Sequence, residues 1–193
     1  MNIANQILKN QAKNQTVFTT VEIKQLCNIY KPVELHSALI YATNKGYLYR
    51  ITRGIYALNR DYSRVEFANK FRTPSYVSLY TVLNKNGVVF QPYSDITIVS
   101  NRSEVTEIDG QKYIFRKIKD AILLNSIGVL DVDGIYTAAT ERAICDKLYL
   151  DGDEYFDNLR EINWEFMKEL NEKVYCNNSV IDYFISKNSK WKH

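Results

Sequence analysis

Residues 19–58 read TTVEIKQLCNIYKPVELHSALIYATNKGYLYRITRGIYAL, and this stretch decides the fold expected of the first part of the chain. Thr19 followed three residues later by Glu22 is a capping box, in which each side chain satisfies the other's unpaired backbone N–H at a helix start. The helix it opens is short and turns Ile23, Leu26 and Cys27 inward. Asn28-Ile29-Tyr30 forms the turn after it. Pro32 suits the first position of the next helix, where a missing N–H costs no hydrogen bond. That helix is expected over about residues 31–45. At about 100° per residue, Leu35, Ala38, Leu39 and Ala42 share one arc, and Val33, Ser37, Ile40, Tyr41 and Asn44 share the opposite one. Gly46 stands where a helix ends in a left-handed residue. Two short strands follow, residues 47–51 and 55–58, joined by the basic turn Thr52-Arg53-Gly54.

Upstream, Ile3, Ala4, Ile7 and Leu8 repeat at helical spacing and predict a first helix over about residues 2–13. A helix, a short capped helix, a turn, a third helix and a basic hairpin come in the order of a winged helix-turn-helix, expected over residues 1–60. In such a fold the third helix enters the major groove, where each base pair presents its own pattern of donors and acceptors. Ser37 and Asn44 can hydrogen-bond to base edges, Ile40 can touch a thymine methyl, and Tyr41 can reach a base or a phosphate. Lys31 and Lys45 flank the helix, and Arg50 and Arg53 on the hairpin can meet the backbone or the minor groove. The hydroxyls of Thr19 and Thr20, at a helix N-terminus, can meet a phosphate.

Charge is divided unevenly. Residues 1–60 carry eight Lys/Arg against two Asp/Glu, a net +6, while residues 61–193 carry seventeen against twenty, a net −3. A basic first part predicts a polyanionic partner for that part alone. Winged helices also serve as protein-binding modules, which is the competing reading of the same residues. Three cysteines, Cys27, Cys145 and Cys176, lack the spacing of a zinc site or a disulfide framework and are expected to be buried thiols. No run of apolar residues matches a signal peptide or a membrane span, so a cytoplasmic protein with no membrane contact is expected.

Residues 61–193 predict an α+β domain. Ser63 with Glu66 opens a helix to about residue 71, Thr73-Pro74 breaks it, and Ser75 is expected to cap another helix ending at Asn86-Gly87. Residues 95–100, 104–108 and 111–118 read as strands of a small antiparallel sheet, the last two joined by Asp109-Gly110 in a type I′ hairpin. From Gly134 onward the chain is expected to be helical, with Thr137 capping the first of these helices. An enzyme has little support. Asp95, Glu107 and Asp109 lie near one another in sequence and could in principle hold Mg²⁺, but no P-loop, GxGxxG, HExxH or nucleophile elbow occurs. No cofactor or metal is expected.

With both parts in place, the chain resembles the AbiEi-type antitoxins, transcriptional regulators of type IV toxin–antitoxin and phage-defence operons. The resemblance rests on GYLYRITRGIYAL at 46–58, TPSYVSLYTVLNKNGVV at 73–89, YIFRKIK at 113–119 and TAATERAICDKLYL at 137–150, and covers about residues 15–150. It implies a bacterial repressor that binds operator repeats upstream of its own gene. It also implies antitoxicity, carried by the second domain, against a partner toxin resembling a nucleotidyltransferase. Carried over by position, Ser37, Tyr41, Thr43, Asn44 and Lys45 fall on the recognition helix and Arg50 and Arg53 on the wing; the family commonly has an arginine at the position of Tyr41. Arg116, Lys117 and Lys119 fall on the FRKIK stretch, and Glu141, Arg142 and Asp146 on the ERA helix, where they serve antitoxicity or hold the domain together by ion pairs.

Overall fold

The structure, a computed structural model, describes residues 3–12 and 14–189. These fall into two compact units divided between Phe71 and Arg72, rather than at the 60/61 junction expected from the sequence.

The first unit opens with α1 (Ile3–Asn10); residues 2 and 13, included in the helix expected there, lie outside the described residues. A three-residue strand that the sequence reading missed, β1 (Val17–Thr19), leads into α2 (Thr20–Cys27) and α3 (Pro32–Asn44). The hairpin β2 (Tyr49–Thr52) and β3 (Ile55–Ala57) follows. The sheet is antiparallel in the order β1-β3-β2, so the missed strand pairs with the far arm of the hairpin, Val17 opposite Ala57. The capping box is formed as expected: Thr19 Oγ1 accepts from the Glu22 N–H, and Glu22 Oε2 accepts from the Thr19 N–H at 2.7 Å. Ile7, Phe18, Ile23, Leu35, Leu39 and Ala42 fill the core between the helices and the hairpin.

A fourth helix, α4 (Arg64–Phe71), belongs to this unit, buries Phe67 and Ala68, and carries a buried carboxylate that ties it to the segment before β1. Glu66, 3 % exposed, accepts from the backbone N–H of Thr16 at 2.9 Å and from its hydroxyl at 2.6 Å. Lys70, one turn on, neutralises it at 3.1 Å and also reaches Glu22 and the Val17 carbonyl, each at 2.7 Å. Ser63 caps α4 as expected, but the Glu66 side chain does not return to close a box; it is spent on Thr16.

The second unit holds a six-stranded sheet in the order β6-β7-β5-β4-β9-β8. Its strands are β4 (Ser75–Val77), β5 (Ile96–Ser100), β6 (Glu104–Ile108), β7 (Gln111–Lys117), β8 (Val129–Val132) and β9 (Ile135–Ala138). The sheet is mixed, not antiparallel: β5 runs parallel to β7 and β4 parallel to β9. The hairpin strand β6 lies outside β7, which leaves β7 free to pair with β5 in the same direction. Two further expectations fail. Ser75 lies in β4 rather than capping a helix, and the helix there is only α5 (Tyr80–Lys85). Thr137 lies in β9, and the helix after it, α7 (Thr140–Asp151), starts from Ala139. The Asp109-Gly110 turn has both residues at positive φ, 52° and 72°, as a type I′ turn requires. A short α6 (Asp120–Leu123), then α8 (Trp164–Lys173) and α9 (Ser179–Asn188), complete the unit. Cys27 and Cys145 are buried as expected, whereas Cys176 is exposed because it sits in a left-handed bend between α8 and α9.

Helix α7 packs against α5, α8, α9 and β9, and it carries a fully buried ion pair. Arg142 and Asp146 are both 0 % exposed. The Arg142 guanidinium donates to the carbonyls of Ile127 at 2.7 Å and Ile122 at 2.8 Å, and to the Tyr76 hydroxyl at 3.1 Å. The Asp146 carboxylate accepts from Ser78 at 2.7 Å, Tyr175 at 2.7 Å and Tyr76 at 3.0 Å. Burial pushes the Asp146 carboxyl up from its ordinary value, against the opposing pull of Arg142 and the three hydroxyl donors. Gly128 lets the preceding loop pass close to this helix: at φ +76°, a Cβ there would lie 3.1 Å from Arg142 Cβ and from Leu170 Cδ2.

Removing one member of a buried pair strands the other charge, which costs about 3–5 kcal/mol. Asp146→Ala is therefore expected to destabilise the second unit by about that amount. Urea unfolding followed by the fluorescence of Trp164, buried in the same unit, measures it. A loss under about 1 kcal/mol, the scale of an ordinary neutral hydrogen bond, would show that the network is dispensable.

Candidate nucleic-acid interface

The third helix of the first unit presents the two arcs read from its sequence. Leu35, Leu39 and Ala42 are buried and Ala38 is half-buried, while Val33, Ser37, Ile40, Tyr41 and Asn44 are exposed. The helix ends as expected, with Lys45 at the cap and Gly46 at φ +71°. Ile40 is 47 % and Tyr41 58 % exposed, high values for large apolar side chains on a helix whose other face is packed. Tyr41 leans on Tyr47, with ring centroids 6.4 Å apart.

The hairpin stands beside this helix. Together they line an open groove of about 460 Å³, with His36, Ile40, Thr43 and Asn44 on the helix side and Arg50, Arg53 and Gly54 on the hairpin side. Arg50 and Arg53 are exposed, and neither has an ion-pair partner among the described residues. Arg53 occupies the tip because Thr52 and Ile55 are directly paired, leaving Arg53 and Gly54 as the connection. Gly54 is at φ +81° there.

Other expected contacts are placed differently. Thr20 donates from its hydroxyl and its backbone N–H to the Gly54 carbonyl, at 3.2 and 2.9 Å, which ties the start of α2 to the hairpin tip. The Thr19 hydroxyl accepts the capping bond at 3.2 Å. The donors that would meet a phosphate at the α2 N-terminus are thus largely spent within the unit, and Thr19 and Thr20 are positioning residues. The Thr43 hydroxyl is likewise occupied, donating to the Leu39 carbonyl at 2.8 Å. Lys31 pairs with Glu34 at 2.9 Å on the open surface, where such a pair is weak and exchanges readily. Lys45 is exposed and has no ion pair among the described residues.

The residues the resemblance singles out in the second unit do not form one surface. Arg142 and Asp146 are the buried pair already described and cannot touch a partner while the unit is folded. Glu141 accepts from the Asn163 N–H at 2.9 Å, at the start of α8. Arg116 pairs with Asp151, which also accepts from Lys147 at 2.9 Å. Burial works against the ionised Asp151 carboxyl, but these two cations outweigh it and hold the group below its ordinary value. Lys147 also reaches Glu154 at 2.7 Å. Burial together with the bond to Glu154 pushes the Tyr80 hydroxyl up to about 12. Lys117 and Lys119 are exposed, Lys119 lying 6.0 Å from the centroid of the Tyr149 ring. Asp95, considered above as a metal ligand, pairs with Lys112 at 2.8 Å. Among the described residues no cluster of three or more His, Cys, Asp or Glu is placed to hold a metal ion, and no helix is long and apolar enough to cross a membrane.

No model of a known protein family matches this chain, and no curated protein matches it either.

Thr20→Val keeps the shape of the side chain and removes its hydroxyl. If Thr20 serves the fold, the variant loses about 0.5–1.5 kcal/mol of protection at the hairpin amides in hydrogen exchange. A salt titration against duplex DNA then gives the same result as for the wild type. A flatter salt dependence would return Thr20 to the list of phosphate contacts.

Proposed function

We propose that the first unit is a winged helix-turn-helix that binds duplex DNA, and that the chain represses its own operon. The observation that carries this reading is the pairing, across one groove, of an exposed helix face of mixed polar and apolar side chains with two exposed arginines that have no acidic partner among the described residues. A helix of thirteen residues is about 20 Å long, enough to lie in a major groove. Ser37 and Asn44 face the base edges in this arrangement, Ile40 and Tyr41 supply apolar contact, and Arg50 and Arg53 meet phosphates on the hairpin side. The net +6 of residues 1–60 gives the long-range attraction such a surface needs.

The second unit, on the same proposal, serves antitoxicity against a nucleotidyltransferase-like toxin. Support for this part comes from the sequence resemblance alone; of the residues it names, Lys117 and Lys119 are exposed and Arg116 and Glu141 half-buried, and the three cations on the FRKIK stretch are the ones proposed to meet the partner. Co-expression with the product of the adjacent gene tests it: rescue of growth by the wild type, lost in an Arg116→Ala, Lys117→Ala, Lys119→Ala triple variant that still represses, is the expected result. Equal rescue by the triple variant would remove these residues from the mechanism.

DNA binding is tested by titrating the protein against a duplex taken from upstream of its gene, with a scrambled duplex as control, at several salt concentrations. With about four to six phosphate contacts, log K falls against log salt with a slope of about −4 to −5. Arg53→Ala reduces the magnitude of that slope by about one. Asn44→Ala leaves the slope and narrows the preference for the upstream duplex, by about 1–3 kcal/mol where Asn44 makes a bidentate base contact. No binding, or equal binding to both duplexes, would overturn the reading.

A further inference from the structure

The exit from the hairpin carries a third arginine that the sequence reading did not single out. Arg60 is exposed and has no ion pair among the described residues, and its guanidinium carbon lies 5.1 Å from the centroid of the Tyr49 ring. Tyr49 stacks in turn on the buried Tyr62, with centroids 6.4 Å apart and planes 28° apart. The chain is turned here by Asn59, whose side-chain oxygen accepts from the Asp61 N–H at 2.8 Å, an Asx turn with Arg60 at its centre. Asp61, the acidic residue next to it, forms no ion pair among the described residues.

Stacking on an aromatic ring uses the face of a guanidinium and leaves its in-plane N–H donors free. A stacked arginine is therefore held in place at little cost in side-chain freedom while keeping the fork that binds phosphate oxygens. Arg60 and Tyr49 line a second concavity of about 430 Å³, whose wall also includes Thr43, Gly46 and Arg50. Thr43 and Arg50 line the first groove as well, so the two concavities adjoin at these residues.

We infer that Arg60 is a phosphate-binding residue, and that the nucleic-acid track runs from the α3 groove over Arg50 to this second concavity. The duplex backbone would then be held on both sides of the hairpin arm β2. Arg53 and Arg60 take separate phosphates, with Arg50 between them, and Tyr49 acts as a positioning residue. This inference rests on the DNA-binding reading above and extends its footprint.

The test compares the wild type, Arg60→Ala and Arg60→Lys on the upstream duplex, by salt titration and by hydroxyl-radical footprinting of the bound duplex. Circular dichroism establishes that the variants are folded. Arg60→Ala is expected to reduce the magnitude of the log–log salt slope by about 0.9, one phosphate's share, which is about an eightfold loss of affinity at 0.1 M relative to 1 M salt. Its footprint should lose protection at one flank and keep the rest. Arg60→Lys, which retains charge without the planar stack, should keep the slope and bind more weakly than wild type. If the wild type binds its upstream duplex specifically and Arg60→Ala matches it in slope and footprint, the inference falls and the DNA reading stands. If the wild type fails to discriminate the upstream duplex, the DNA reading itself falls and takes this extension with it.

Discussion

A charge taken out of water must meet a partner in the same place, and both units are organised around that constraint. In the second unit, Arg142 and Asp146 are fully enclosed. Their partners come from β4, from Ser78 beside it, from Ile122 in α6 and Ile127 in the loop after it, and from Tyr175 beyond α8. Each of these segments has to arrive in register for the pair to be satisfied. Replacing such a pair with apolar residues of similar volume is often neutral or stabilising, so net stability is a poor explanation for it. What the pair demands is geometry: an alternative packing of α7 would leave a buried ion without its bonds, at several kcal/mol. In the first unit Glu66 plays a related part. Its bonds to Thr16 and its pairing with Lys70 join α4 to the start of β1.

The same economy decides which polar groups remain for a ligand. At the α2 N-terminus the sequence offers two hydroxyls and a set of unpaired N–H groups, the usual ingredients of an anion site. The fold consumes most of them. Glu22 takes the Thr19 N–H, Thr19 takes the Glu22 N–H, and the Gly54 carbonyl takes both donors of Thr20. In return the hairpin tip is fastened to the helix start, so Arg53 is displayed on a braced turn. Among the described residues of the first unit, the cations without an acidic partner include Arg50, Arg53 and Arg60, all in the hairpin or at its exit, and Lys45 at the end of α3; Lys9 and Lys24, away from the hairpin, are also without one. The candidate interface is thus defined as much by what folding leaves unspent as by residue type.

Local signals in the sequence were strong in the first unit for this reason. The capping box at Thr19, Pro32 at a helix start and Gly46 at a helix end each act within four residues, and each is found where it was read. The inward and outward arcs of α3 follow from helical geometry alone. What escaped was pairing at a distance. The strand β1 is three residues long and exists because Val17 meets Ala57, forty positions on in the chain. The Asp133-Gly134 pair, both at positive φ, carries the same turn signal as Asp109-Gly110, yet the β8–β9 hairpin it joins went unread because the helix beyond it dominated the pattern. The parallel pairings of β5 with β7 and β4 with β9 have no local signature, since strand direction in a sheet depends on the path of the connections.

Arg142 and Arg60 show why residue type alone ranks sites poorly. Both are arginines beside tyrosine rings, Arg142 at 5.3 Å from Tyr76 and Arg60 at 5.1 Å from Tyr49. The sequence drew attention to Arg142, inside an apolar helix, and passed over Arg60, in a junction between elements. Their surroundings reverse that order. Arg142 has its terminal nitrogens committed to carbonyls and a hydroxyl, its Nε 3.6 Å from the Asp146 carboxylate and no surface exposed, so no partner can reach it once the unit has folded. Arg60 rests over the Tyr49 ring and is exposed, with no acidic partner among the described residues, so the contact that orients it does not neutralise its charge. A cation that folding has oriented but not neutralised is the kind of group a polyanion can use, and that distinction is made by burial and partners.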